Sequence, residues 1–184
     1  DTSAELKTGE VIDAFRAIER DFGHRNVFVA VTGGEPLVRP DLFEVMDEVG
    51  GRLRFPWGMV TNGWSVDAKV VEACRRTRMR TVVVSLDGAT AASHDWLRGA
   101  GSFDRAVDAI GRFLAAGWRD GLQVTSTFHH RNIGELEQVL QVATECGLDA
   151  QALAARVAEP AIKEALKVQT EGAMAKGVFG SPYV

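Results

Sequence analysis

The fold is decided by the stretch Val27-Phe28-Val29-Ala30-Val31-Thr32-Gly33-Gly34-Glu35-Pro36. Residues 27–31 form a continuous apolar run of strand length, which is typical of a parallel strand buried on both faces. A polar turn follows at once, with two glycines, one carboxylate and a proline. We therefore predict a buried strand that ends in a loop suited to a ligand.

The same alternation of helix and strand continues along the chain. Apolar residues spaced three and four apart predict helices, and short apolar runs predict strands. The predicted strands are 27–31, 57–60, 81–84 and 124–128, and the predicted helices are 8–22, 40–49, 66–74, 102–114 and 132–143. Thr8, Ser102 and Asn132 are suited to be N-caps. Four strands separated by helices indicate an α/β fold with a parallel sheet, either open or part of a barrel.

Composition narrows the class of protein. The chain has 184 residues, a net charge of -4 and 46% hydrophobic residues. This length predicts one domain, with or without a small appendage, and the charge gives no reason to expect a nucleic-acid partner. The sequence contains no apolar run long enough to span a membrane and no signal-peptide pattern, so we expect a cytoplasmic protein with no membrane partner.

Three short polar motifs follow three of the predicted strands. They are Gly33-Gly34-Glu35-Pro36, Thr61-Asn62-Gly63 and Ser85-Leu86-Asp87-Gly88. Carboxylates, hydroxyls and bare backbone at the carboxyl ends of parallel strands suit a zwitterionic ligand rich in hydroxyls. Each motif alone is a common turn sequence, so it is the order and placement of all three that indicate a binding site.

Together these motifs resemble the radical S-adenosylmethionine (SAM) superfamily, particularly its branch of peptide-modifying and cofactor-maturing enzymes. The resemblance covers residues 1–149. Its further motifs are His94-Asp95 with Arg98-Gly99, and Ser102-Phe103-Asp104. It implies a partial (β/α) barrel, with SAM as the small-molecule partner and a peptide or cofactor precursor as the substrate.

The resemblance also assigns roles to individual residues. Gly33, Gly34 and Glu35 would receive the methionyl amino group, Ser85 and Asp87 would face the ribose or carboxylate, and Arg98 is a further candidate for the carboxylate. The full set of expected SAM-binding residues is Gly33, Gly34, Glu35, Pro36, Thr61, Asn62, Ser85, Asp87 and Arg98. In this family a reduced [4Fe–4S] cluster cleaves SAM to a 5′-deoxyadenosyl radical, so the cofactors carry the radical chemistry.

The cluster ligands of the family are not found in these residues. They form a Cys-x-x-x-Cys-x-x-Cys loop, whereas the two cysteines here, Cys74 and Cys146, lie far apart on predicted helices. We expect no metal ligand and no catalytic residue among the 184, and therefore an inactive chain. His129 and His130 are interpreted as a solvated corner between a strand and a helix.

The last residues resemble a second family. Glu159-Pro160-Ala161-Ile162-Lys163 and Gly177-Val178-Phe179-Gly180-Ser181-Pro182 are similar to the end of the thioredoxin-fold group that contains 2-hydroxychromene-2-carboxylate isomerase, kappa-class glutathione transferases and the DsbA-like oxidoreductases. We predict a partial radical SAM core at 1–149 and a mainly helical thioredoxin-fold fragment at 150–184. The seam is expected between 139 and 151, as in a chimera.

Two alternatives remain open at this point. The chain could be a non-catalytic α/β domain that binds a small molecule, or a relative of glutathione-linked isomerases and oxidoreductases through its tail. A nucleophile loop on a preceding thioredoxin strand would support the latter, and none is found.

Overall fold

A four-stranded parallel sheet organises the protein. The computed structural model describes residues 5–129, 131–148 and 168, without the side chain of Ile133. The strands are β1 (Val29–Val31), β2 (Trp57–Thr61), β3 (Met79–Ser85) and β4 (Leu122–Thr125). Their spatial order is β1-β2-β3-β4 and every neighbouring pair is parallel. The predicted α/β class is confirmed.

Helices connect the strands. They are α1 (Thr8–Phe22), α2 (Leu42–Met46), α3 (Ala68–Arg76), α4 (Ala91–Arg98), α5 (Ser102–Ala115) and α6 (Leu136–Glu145). Short 3₁₀ turns lie at His24–Asn26, Pro36–Val38 and Ile133–Glu135. The sequence did not predict α4, and it placed the end of the second helix too early, because a π-helical segment continues from Asp47 to Arg52.

Two of the predicted N-caps are wrong by one residue. Lys7 caps α1, and Thr8 lies inside the helix, where its hydroxyl donates a 2.6 Å hydrogen bond to Asp41. Gly101 caps α5 in a left-handed conformation, with φ of 81°, so Ser102 is the first helical residue. A Ser or Thr near a helix start therefore indicated the region but not the capping position.

The first and last strands differ most from expectation. β1 is shorter than predicted, and its residues are half-buried or exposed rather than buried on both faces, because β1 lies at the edge of the described sheet. β4 begins two residues earlier than predicted and ends at Thr125. After it the chain bends, and the Ser126 hydroxyl donates to the carbonyl of Leu86.

The core lies between β2, β3 and the helices that cover them. Trp57, Val82, Ile110 and Phe113 are fully buried. The Trp57 indole donates a 2.7 Å hydrogen bond to the carbonyl of Thr77, so a large apolar side chain is buried with its polar atom satisfied. This rigid centre fixes the positions of the strand ends.

The chain divides into two compact units, 1–139 and 140–184. Of the predicted tail at 150–184 the structure describes only Val168, which is helical and exposed, so the predicted thioredoxin-fold fragment, with its motifs at 159–163 and 177–182, lies outside the described residues. In the described part of the chain, no helix is long and apolar enough to cross a membrane.

Candidate functional site

The three predicted motifs follow the carboxyl ends of three adjacent strands. Glu35 comes four residues after β1, Asn62 directly follows β2, and Asp87 comes two residues after β3. Because the strands are parallel and about 4.8 Å apart, these ends share one edge of the sheet. This placement was predicted from the sequence and is confirmed.

Glu35 joins the loop after β1 to the end of β2. Its Oε1 accepts hydrogen bonds of 2.8 Å from the Thr61 hydroxyl and 3.2 Å from the Leu37 backbone, and its Oε2 accepts one of 2.7 Å from the Asn62 backbone. A carboxylate has about four lone-pair positions, so about one remains for a cationic donor. The half-buried Glu35 therefore both braces the edge and keeps capacity for a ligand.

The turn after β2 is held by its own side chains. The Thr61 hydroxyl accepts from the Gly63 backbone at 3.1 Å, and the Asn62 amide oxygen accepts from the Trp64 backbone at 2.9 Å. Gly63 has φ of 81°, and a Cβ there would lie 3.0 Å from the Cα of Ala106 in α5. Glycine is required here because the turn packs against α5, which is a structural role.

The glycines after β1 are in a different situation. A Cβ at Gly33 or Gly34 would meet nothing within 4 Å. A cavity of about 480 Å³ lies beside this loop, lined by residues that include Thr32, Gly34 and Glu35. Exposed backbone beside a carboxylate and a cavity provides the approach that an ammonium-bearing ligand requires.

Asp87 is buried and has charged and backbone partners. It is fully inaccessible, and its carboxylate accepts hydrogen bonds from Nε of Arg98 and, at 2.7 Å, from the backbone of Thr127. Arg98 extends from this pair to the surface, with its side chain 31% exposed. Its two terminal nitrogens have no hydrogen-bond partner among the described residues. This arrangement makes Arg98 the outward-facing member of the pair.

Two residues that sequence reasoning did not assign to the site hold Asp87 in place. Nδ1 of the buried His94 accepts a 3.0 Å hydrogen bond from the Asp87 backbone, and the Asn132 amide donates to the Asp87 carbonyl. Asn132 was expected to cap a helix, but its side chain makes no cap. These residues are separated from Asp87 by 7 and 45 positions, and the latter interval leaves no local signal in the sequence.

Burial also affects the protonation of His94. Because Nδ1 accepts a hydrogen bond, the neutral ring carries its proton on Nε2, and Nε2 has no partner in the described part of the chain. Burial lowers the pKa of His94 below its ordinary value, and the nearby Arg98 adds to this while Asp87 opposes it. His94 is therefore a neutral support for the backbone of Asp87.

The loop after α4 depends on Asp95. Its carboxylate accepts hydrogen bonds from the backbones of Phe103 at 2.8 Å and Gly101 at 2.6 Å, which lower the pKa of Asp95. These contacts join α4 to the start of α5. The His94-Asp95 motif thus has two structural functions, one toward Asp87 and one toward α5.

The remaining predicted residues take several positions. Pro36 is buried in the 3₁₀ turn that Glu35 begins, and Ser85 is buried at the last position of β3. The Ser85 hydroxyl makes no hydrogen bond to other described residues. The structure brings Glu35, Thr61 and Asn62 into one hydrogen-bonded group, and Asp87 and Arg98 into a second group on the neighbouring strand. SAM contacts by these residues remain predictions.

An aromatic group lies near the second of these groups. The Arg131 guanidinium stacks 4.1 Å from the centre of the Trp96 ring, and the ring of His129 lies 5.2 Å from it. Trp96 and Trp64 are about half exposed. These two rings therefore lie partly in solvent, in contrast to the fully buried Trp57.

The residues present do not fit an iron–sulfur cluster. The chain has two cysteines, whereas the family uses three clustered thiolates, and Cys74 is fully buried. Burial raises the pKa of the Cys74 thiol to about 12 and raises that of Cys146 as well, which disfavours the ligating thiolate form. In the described residues no group of three or more His, Cys, Asp or Glu side chains is placed to hold a metal ion.

Comparisons with known proteins agree with this fold. Residues 2–143 match the radical SAM superfamily, so the chain belongs to that superfamily. It is 34% identical over 146 residues to mycofactocin maturase MftC of Mycobacterium tuberculosis (strain H37Rv), covering 78% of this chain and 35% of that protein. It is also 34% identical over 118 residues to AdoMet-dependent heme synthase of Methanosarcina barkeri, covering 64% and 33%. The chain spans about a third of the length of these relatives.

Solved structures show the same fold. Streptococcus suis SuiB bound to S-adenosylmethionine superposes with a TM-score of 0.62 and 16% identity, covering 79% of this chain and 33% of SuiB. Native anSMEcpe with bound AdoMet superposes with a TM-score of 0.56 and 17% identity, covering 78% and 42%. Residues 105–184 match the DSBA-like thioredoxin domain, so the predicted resemblance of the tail is confirmed.

Proposed function

We propose that this chain is the SAM-binding part of a radical SAM enzyme that modifies a peptide or a cofactor precursor. The observation that carries the proposal is the Glu35 carboxylate, fixed by Thr61 and Asn62 beside the open backbone of Gly33 and Gly34. MftC is a maturase, and SuiB has been crystallised with its precursor peptide SuiA. Both support the substrate class.

The site residues of this chain fit the chemistry of SAM. The free lone pair of Glu35 would accept from the methionyl ammonium, with the exposed amides of the glycine loop close by. The free terminal nitrogens of Arg98, and the Ser85 hydroxyl, would receive the carboxylate or ribose. Asp87 would act through Arg98, because the Asp87 carboxylate is fully buried and Arg98 extends from it to the surface.

The radical chemistry would come from the cofactors. With a [4Fe–4S] cluster held by cysteines outside these 184 residues, SAM would supply a 5′-deoxyadenosyl radical, as expected of the family. The residues of this chain would bind and orient SAM and hold the edge of the sheet rigid. No proton or electron transfer is assigned to them.

We also propose that the chain joins two parts, a partial radical SAM core at 1–149 and a DsbA-like fragment at 150–184, with the seam between 139 and 151. The two family matches overlap at 105–143, but β4 within the overlap pairs in parallel with β3, which favours the radical SAM core there. The boundary between the two compact units, after Val139, falls in the proposed seam.

Calorimetric titration of the purified chain with SAM tests the binding proposal. Gly34→Ala is the informative variant, because a methyl group there meets no protein atom within 4 Å and should preserve the fold while obstructing the ligand. We expect saturable SAM binding that weakens by about tenfold or more in this variant, as for loss of one hydrogen bond to a charged group.

Gly111→Ala is the matched control. It adds the same methyl group in equally open space on α5, away from the strand ends, and should bind SAM like the parent chain. Absence of SAM binding by the parent chain, or equal affinities of the Gly34→Ala and Gly111→Ala variants, would reject the proposed site.

A further inference from the structure

A second cavity lies at the amino-terminal edge of the same sheet. It has a volume of about 420 Å³ and is lined by His24, Arg25, Gly50, Arg54, Phe55, Pro56, Arg78 and Arg80. Pro56 directly precedes β2 and Arg78 directly precedes β3. The seven residues of β3, about 20 Å at the usual rise per residue, separate this edge from Ser85.

Among the residues that the structure describes, the four arginines of this cavity have no partner for their charge. The side chains of Arg25, Arg54, Arg78 and Arg80 make no ion pair, hydrogen bond or aromatic contact with the other described residues. Elsewhere on the described surface, arginines such as Arg16, Arg76 and Arg112 lie against carboxylates. The only ion pair at the cavity is that of His24 with Glu19, at 3.7 Å, among the described residues. In a chain with net charge -4, this is a local concentration of positive charge.

The floor of the cavity is rigid. Gly50 has no room for a side chain, because a Cβ would lie 2.2 Å from the Thr77 carbonyl and 2.6 Å from the Trp57 ring. Trp57 and Thr77 are joined by the indole hydrogen bond, and both are fully buried. The adjacent Phe55 is also buried. The arginines therefore surround a preformed surface rather than a loose loop.

Two of the arginines occupy backbone positions that usually favour glycine. Arg54 and Arg78 have φ of 64° and 61°, and they are the only non-glycine residues with positive φ in the described part of the chain. Each follows a helical segment and precedes a strand. Glycine would adopt these turns more readily than arginine. The backbone geometry therefore does not explain why both positions are occupied by arginine.

We propose that this cavity binds a small molecule carrying a diphosphate or another group of two or more phosphate charges. Guanidinium groups donate paired hydrogen bonds to phosphate oxygens, and four unpaired ones around one cavity match a ligand with several negative charges. The volume is in the range of small-molecule sites, which favours a small ligand over a polyanionic chain. The proposal is independent of SAM binding, since it concerns the opposite edge of the sheet.

Calorimetric titration of the full chain with inorganic pyrophosphate at physiological salt tests the inference. The main variant is the double substitution Arg54→Gly with Arg78→Gly, which removes two charges and places glycine where it is conformationally favoured, so the fold should persist. We expect saturable binding by the parent chain, weakened by about tenfold or more in this variant.

The double substitution Arg105→Gln with Arg131→Gln is the charge-matched control. Arg105 stacks over Trp64, which follows β2, and Arg131, which follows β4, stacks over Trp96, so both charges lie at the carboxyl edge of the sheet and outside the cavity. Exposed charges separated from a site by more than a Debye length of about 8 Å contribute little at this salt concentration. This control should bind pyrophosphate within about twofold of the parent chain. Gly34→Ala should also leave pyrophosphate binding unchanged, which separates this test from that of the SAM site.

Several outcomes would overturn the inference. These are the absence of saturable pyrophosphate binding, equal weakening in both double variants, and unchanged binding by the main variant. Tighter binding of a hexaglutamate peptide than of pyrophosphate would instead identify a surface for acidic polypeptide. If thermal unfolding shows that the main variant is misfolded, Arg25→Gln with Arg80→Gln serves in its place, with the same expected weakening.

Discussion

The carboxylate of Glu35 lies 2.7 Å from the backbone nitrogen of Asn62 and thereby connects the loop after β1 with the loop after β2. This bond places the only carboxylate of the glycine loop at the end of the neighbouring strand. The residue proposed to bind the SAM ammonium is thus also part of the structure of the sheet edge. Its substitution should have two separable effects.

Glu35→Gln should weaken both the fold and SAM binding. The amide keeps one acceptor oxygen and turns a donor group toward Thr61 or Asn62, so at least one hydrogen bond is lost. We expect the free energy of unfolding to fall by about 1–2 kcal/mol and SAM affinity to fall by about tenfold. Urea unfolding and calorimetry measure the two quantities. The exposed Glu44→Gln is the matched control, and an equal effect there would contradict the role of Glu35.

Asp87→Asn should destabilise the protein more strongly. Without the negative charge of the fully buried Asp87 side chain, Arg98 loses its ion-pair partner. Breaking a buried ion pair in this way costs about 3 kcal/mol. Arg98→Ala should have a similar effect, and the double variant should lose less than the sum, because the two residues are coupled. Urea unfolding of the three variants gives the coupling energy.

The exposed pair Asp108 and Arg112 is the comparison for that cycle. It has the same residue types but lies on the surface of α5, where ion pairs contribute little. Equal coupling energies for the two pairs would show that the burial of Asp87 is not what makes its pair strong.

His94 should make stability depend on pH. Because burial lowers its pKa in the fold, the unfolded chain binds the proton more readily, so stability is lost as pH falls below the ordinary value of 6.5. The stability is fully present above that value. We expect His94→Asn, whose amide oxygen can replace Nδ1 as acceptor, to flatten the loss between about pH 7 and 5. Unfolding free energies across this range test it, with His24→Asn as the control; an unchanged slope in His94→Asn would contradict it.

The sequence predicted those parts of the fold that local patterns encode. Apolar runs located all four strands, and polar turns located the edge where Glu35, Asn62 and Asp87 lie. The predicted ends of strands and helices were wrong where tertiary contacts override local preference. The end of β4 depends on the bonds of Ser126 and Thr127 to the loop after β3, and such contacts have no periodic signature.

The hydrogen bonds within the site could not be predicted from local sequence patterns, for the same reason. The sequence indicated Asp87 as a ligand-facing carboxylate, but its partners Thr127 and Asn132 are 40 and 45 residues away. His94 was recognised only as part of a motif. The unpaired arginines around Gly50 come from three separate loops and one strand, so only the folded sheet brings them together.

Reconstitution with iron and sulfide under anaerobic conditions should leave this chain without a [4Fe–4S] cluster. Two cysteines cannot supply three thiolates, and burial raises the pKa of Cys74 to about 12. Absorption spectra and iron analysis measure the result. A thiol reagent should also modify the partly exposed Cys146 before Cys74 in the folded chain. A stoichiometric cluster with reductive cleavage of SAM would show that the chain does carry its own ligands.

Truncation after Asp149 tests the proposed two-part origin of the chain. The largest fully buried side chains of the described residues lie between Met46 and Asn132. If that segment derives from another family, its side chains were not matched in shape to this core, and its removal should change the free energy of unfolding by less than about 1 kcal/mol. Amide hydrogens at 150–184 should also exchange faster than those of Val29–Val31. A loss of several kcal/mol, or slow exchange throughout the segment, would mean that it is integral to the fold.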